Sequence, residues 1–255
     1  MNDAVRPLDE AARAPSTPAA GGVSTARAAL ISEGAYLMPG AVTRSLLGGS
    51  DDEWDAFRAQ WAALAVDRYA AERGTRRLRR YGHFLLDATS GELTPQPPEP
   101  FVQPERSNPL YVDVDRAFEP LTGDFVAHPV FAAVVGVLAD VASALEDPPA
   151  WHVKVHPFRV VASAAAHGLA APEGRHRDGV TLVSSLLIHR HNALGGTSTV
   201  FAPDGTELLS ATLDQPGDLL LGDDRRTLHD VSPLHPARPE HPAYRDVLVT
   251  TFAPE

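Results

Sequence analysis

Hydrophobic and polar positions along this chain change rhythm past the middle. Before about residue 145 the longest patterned runs repeat every three or four positions; after Pro148 apolar and polar residues alternate. The first rhythm is that of helices packed on one face, the second that of half-buried strands. Trp54, Phe57, Trp61, Leu64 and Ala65 share one helical face. Ser50-Asp51-Asp52-Glu53 ahead of them has the form of a capping box, and Gly74 is placed to stop the helix. A second helix is expected from Pro129, with Phe131, Val134, Val135, Leu138, Val141 and Leu145 as its buried stripe. Ala28 to Leu37 reads as a short helix and then a strand, and Leu78 to Leu86 as one strand.

The second half reads as short strands: Trp151–Ala162, Thr181–Arg190, Thr197–Ala202, Glu207–Thr212, Asp218–Gly222, Thr227–Val231 and Arg245–Phe252. Pro203-Asp204-Gly205 marks a hairpin between two of them. Strands punctuated in this way suggest an antiparallel jelly roll. The expected fold is mainly β with N-terminal helices: a double-stranded β-helix, about residues 151–252, flanked by two or more helices. Residues 1–24, rich in Ala, Pro, Gly, Ser and Thr, read as a flexible tail, and residues 25–255 as a single domain. The loop at residues 88–110, by its length and proline content, is a candidate lid.

Composition narrows the chemistry. With no cysteine, the chain has no disulfide, thiolate nucleophile or Cys-held metal. Its net charge of −11 argues against a nucleic-acid partner. The basic cluster Arg76-Arg77-Leu78-Arg79-Arg80 reads as an element edge with solvated arginines. No run approaches the ~20 apolar residues that a membrane helix needs, and the start lacks a signal-peptide pattern, so the expected location is the cytoplasm.

Two His and one carboxylate stand out. In Arg175-His176-Arg177-Asp178-Gly179 the His and Asp lie two positions apart, just before an apolar run. In a strand they would point to the same side. His229 is a third candidate ligand, and such a set leaves part of a metal's coordination open, as in non-haem Fe(II) oxygenases. A surface turn with a solvated His and Asp is the competing reading. Asp223 and Asp224 stand close enough to His229 in sequence to orient it, or are solvated loop charges. Nothing requires His156, His167, His189 or His191 as ligands. Ser184 and Ser185 lack the Gly-x-Ser-x-Gly elbow of a hydrolase.

An ordered series of segments carries a resemblance. These are Pro172–Gly179, Ile188–Gly196, Leu220–His229 and Tyr244–Phe252, preceded by Gln103, Asn108 and Val155-His-Pro-Phe-Arg159. Together they resemble the 2-oxoglutarate/Fe(II) dioxygenase family that includes bacterial L-isoleucine hydroxylases. The resemblance implies iron held by His176, Asp178 and His229, with 2-oxoglutarate and O₂ as co-substrates. It implies that Arg245 grips the distal carboxylate of 2-oxoglutarate. Alternation would place Arg245 with Val247 and Val249 on an inward face. The implied reaction is hydroxylation of a small free L-amino acid, aliphatic or cyclic, with release of succinate and CO₂. Arg159 is a candidate for binding a carboxylate of substrate or the C1 end of 2-oxoglutarate, and Arg116 is a second. Two other readings are a jelly-roll protein that binds a small carboxylate without turnover, and a cupin-like metalloenzyme that does not use 2-oxoglutarate.

Overall fold

The structure, a computed structural model, describes residues 18–72, 74–97 and 116–255. Gln103, Asn108 and most of the candidate lid lie outside these residues, as does most of the expected tail. The chain begins with helix α1 (Pro18–Glu33), strand β1 (Ala35–Met38) and helices α2 (Gly40–Leu47) and α3 (Asp51–Ala59). Next come a 3-10 turn (Gln60–Ala63), β2 (Ala65–Val66), α4 (Arg68–Ala71), β3 (Arg77–Arg79), β4 (Gly82–Asp87) and β5 (Leu93–Pro95). Helices α5 (Gly123–Val126) and α6 (Pro129–Ala142) lead into β6 (Ala150–Ala162) and β7 (Leu182–His191). The rest is β8 (Ala193–Gly195), β9 (Thr197–Phe201), β10 (Glu207–Thr212), β11 (Leu219–Asp223), β12 (Leu228–Val231), β13 (Leu234–Pro236) and β14 (Ala243–Pro254).

The major antiparallel sheet runs β1-β11-β7-β14-β6-β3-β2, with β4 beside β6 and β5 beside β4. A smaller sheet, β10-β9-β12, and a two-stranded pair, β13-β8, accompany it. Alternation along the long strands gives the major sheet two different faces. Val153 and Val155 of β6 and Leu248 and Phe252 of β14 pack against Trp61, Phe131, Leu138 and the other helical residues. Leu187 and Val247 turn the other way and meet Val200 of the smaller sheet. The double-stranded β-helix with N-terminal helices is therefore the architecture. No described helix is long and apolar enough to cross a membrane.

Some elements depart from the sequence pattern. Helix α1 begins inside the stretch read as tail. Its small residues serve a close approach: a Cβ on Gly22 would stand 2.8 Å from Val42 Cγ1. The helix expected to run to Gly74 stops at Ala59. Ala65 and Val66 pair with Arg79 and Leu78, and Asp67 then caps α4 by accepting from Ala70 N. Cross-strand pairing thus overrides a helical period. The strand expected over Leu78–Leu86 is split into β3 and β4, which pair with different parts of β6. By contrast, the capping box at Ser50, the hairpin at Pro203-Asp204-Gly205 and the proline-led α6 form as expected.

Candidate active site

The two faces of the major sheet decide which side chains reach the site. The inward face of β6 carries His152, Lys154, His156, Phe158 and Val160, and that of β14 carries Arg245, Val247, Val249, Thr251 and Ala253. With His229 and Val231 of β12 and the loop before β7, they line a cavity of about 480 Å³.

His176, Asp178 and His229 converge on this cavity, each offering a donor atom within 4.8 Å of the others. Asp178 Oδ1 lies 4.0 Å from His176 Nε2, and Asp178 Oδ2 lies 3.8 Å from His229 Nε2. Strand alternation is not what aligns His176 with Asp178, because both precede β7 in a loop. Two devices hold that loop. His176 and His229 exchange backbone hydrogen bonds of 3.0 and 2.8 Å. The Asp224 carboxylate accepts from the backbone N–H groups of Asp178, Gly179 and Val180 at 3.1, 2.6 and 3.0 Å. His176 Nδ1 is 2.8 Å from the Gly174 carbonyl and donates to it, which leaves Nε2 facing its partners as a lone-pair donor.

The electrostatics suit a bound cation. Burial, then the nearby charge of His176, pushes His229 down to about 4, so its imidazole is neutral and ready to ligate. Burial raises Asp178, against the pull of His176, Lys154, Arg116 and Arg79. Donor separations of 4.0 and 3.8 Å bring the three side chains close enough to turn onto one ion. Two imidazoles and a carboxylate on one side of such an ion form the 2-His-1-carboxylate facial triad. Of the two neighbouring aspartates, Asp224 supports the site. Asp223 is taken up by Arg225 and Arg226 instead.

The cations sort sharply. Arg245 is 2% exposed on the cavity wall, with Nε and Nη2 lacking any hydrogen-bond partner among the described residues. Burial and the neighbouring Arg190 lower it to about 10, so it stays charged at neutral pH. Arg116 is also buried in the wall. Arg159 is a correction: it lies on the opposite face of β6 and is clamped to Asp246 by bonds of 2.7 and 2.6 Å. A one-residue step along a strand reverses the face, so Arg159 turns away from the cavity that its neighbours Phe158 and Val160 line. The basic cluster at residues 76–80 is a second correction. Arg77 and Arg79 are buried and line the cavity, Arg77 bound to the buried Asp67 and Arg79 in contact with His156. Their i, i+2 spacing in a strand was the signal. Glu173, 3.4 Å from His176 Nε2, and the hydrogen-bonded pair His83 and His152 also border the cavity.

Comparisons with known proteins agree with this geometry. A family model described as 2OG-Fe dioxygenase matches residues 58–251. A solved bsmA homolog from Methylobium petroleophilum PM1 is 33% identical, with TM-score 0.83 over 91% of this chain and 93% of that one. IDO from Bacillus thuringiensis shares the fold at 18% identity and TM-score 0.76, covering 91% of this chain and 99% of its own. The Fe(II)/(alpha)ketoglutarate-dependent dioxygenase TqaL does so at 16% and 0.73, covering 95% and 91%. No curated protein matches the chain.

Proposed function

The chain belongs to the 2OG-Fe dioxygenase family, and from that premise we propose that it hydroxylates a C–H bond of a small free L-amino acid, aliphatic or cyclic. The observation that carries this reading is the convergence of His176, Asp178 and His229 on one cavity. These three would hold Fe(II) there, with 2-oxoglutarate and O₂ as its co-substrates. When bound, iron and 2-oxoglutarate supply the oxidising power, consuming O₂ and yielding succinate, CO₂ and one hydroxyl on the substrate.

The chain's own residues bind, orient and exclude water. Arg245 takes the distal carboxylate of 2-oxoglutarate, which satisfies buried donors that otherwise lack partners. That demand separates the reading from a cupin-like enzyme without an oxo acid. Val183, Val247 and Val249 supply dry wall. In place of Arg159, the cations Arg79, Arg116 and Lys154 receive the amino-acid carboxylate. All three line the cavity, and all lie close enough to Asp178 to bias its charge. A cavity of about 480 Å³ suits two small molecules beside an ion.

The test incubates the protein with Fe(II), ascorbate, 2-oxoglutarate and a panel including isoleucine, leucine and pipecolic acid. Succinate together with a product heavier by one oxygen is expected. Undiminished succinate formation by Asp178→Ala would sink the metal assignment, and turnover confined to compounds other than amino acids would sink the substrate class.

A further inference from the structure

The register of the major sheet sets Arg245 of β14 directly opposite Arg190 of β7. Two guanidinium groups side by side, both withdrawn from water, are an unfavourable pair unless an anion joins them. Arg190 has an 11% exposed side chain. Its Nη2 donates to the carbonyls of Ala193 and Gly195 at 2.9 and 2.8 Å, and its Nε stands 3.5 Å from the exposed carboxylate of Asp214. Its Nη1 is buried with no hydrogen-bond partner among the described residues, like Nε and Nη2 of Arg245.

Gly196 brings the two side chains to one place. A Cβ there would stand 3.4 Å from Arg245 Cδ and 3.5 Å from Arg190 Nη1. Its φ of +68° is itself a conformation that favours glycine. Arg190 stands behind the cavity wall rather than among its lining residues, but its Nη1 lies beside Arg245, which does line it, so three donor nitrogens on two cations are unmet in one place. A carboxylate has about four lone-pair sites, enough to serve both arginines.

We propose that Arg190 is a second binding residue for the distal carboxylate of 2-oxoglutarate, and that the Arg190–Arg245 pair makes the site select a 2-oxo acid with a second carboxylate. This rests on the reading that Arg245 receives that carboxylate. A 2-oxo acid ending in a methyl group leaves Arg190 Nη1 and Arg245 Nε and Nη2 without acceptors, whereas the dicarboxylate supplies them and relieves the repulsion of the two cations.

Binding is measured without turnover, by calorimetric titration of the Mn(II)-loaded protein. The ligands are 2-oxoglutarate and 2-oxopentanoate, which has the same length and keto-acid end but no distal carboxylate. Arg190→Met is expected to weaken 2-oxoglutarate about tenfold or more, the value of a charged hydrogen bond, and to leave 2-oxopentanoate unchanged. Arg190→Lys, which keeps the charge, should restore part of the preference. A purely structural role, through the Ala193 and Gly195 carbonyls, would weaken both ligands alike, and equal loss overturns the proposal. If Arg190→Met does not fold, Arg190→Gln, neutral but still a donor, is held to the same expectation. Arg245→Met separates the two layers. If it leaves 2-oxoglutarate binding intact, the reading of Arg245 is wrong. If it abolishes the preference while neutral Arg190 variants keep it, only the role of Arg190 fails.

Discussion

Asp224 shows how much one side chain outside the ligand set contributes. Its two oxygens accept three consecutive backbone N–H groups, and so fix the turn that presents Asp178. Asp224→Asn replaces one acceptor oxygen with a donor, so at least one N–H loses its partner. Metal affinity should fall about 10–100-fold, as for other residues that orient ligands, with little change in circular dichroism. Competition with a fluorescent chelator would measure it. Asp67 plays a comparable part on the far wall, holding the Arg77 guanidinium at 2.8–2.9 Å while fully buried. Asp67→Ala leaves that cation buried without its carboxylate and should cost about 3–5 kcal/mol in chemical denaturation. A loss below 1 kcal/mol would show that the wall relaxes around the unpaired charge.

Helix α6 illustrates an element whose stability is tied to pH. His128 is its N-cap, accepting from Val130 N at 3.3 Å through Nδ1 and packing on the Phe57 ring. Burial lowers its pKa below the usual 6.5, with the Glu53 carboxylate pulling the other way. Because the folded value is depressed, the stabilisation is complete above the unfolded pKa and is lost as pH falls through the folded one. Protonation also removes the acceptor and places a cation at a helix N-terminus. The melting temperature should therefore drop between pH 7 and pH 5. His128→Asn, which caps without titrating, should flatten that component, and an unchanged pH profile would exclude His128 as its source.

For the molecule as a whole, the triad joins a loop before β7 to strand β12, so a bound ion ties together segments far apart in sequence. Divalent metal should raise the melting temperature, by about 2.7 kcal/mol of added stability at a hundredfold excess over Kd. Asp178→Ala should lose that shift while retaining the metal-free melting temperature. A metal-independent melting temperature in the unmodified protein would mean that the ion does not bridge these segments.

Sequence alone determined much of this protein. The alternating strands, the capping box at Ser50, the proline start of α6 and the Pro-Asp-Gly hairpin are local signals, legible because backbone conformation follows short-range sterics and side-chain period. His176, Asp178, His229 and the inward Arg245 were legible too, through spacing and motif order. Tertiary structure decided the rest. Arg159 and Arg79 are both arginines on strands, and only the facing of β6 and β3 turns one toward Asp246 and the other into the cavity. The break after Ala59 depends on β3 pairing with a two-residue strand, and the meeting of Arg190 with Arg245 depends on the register of β7 against β14. Register and facing are set by contacts between distant segments, and a one-residue slip reverses every side chain, so no local pattern encodes them.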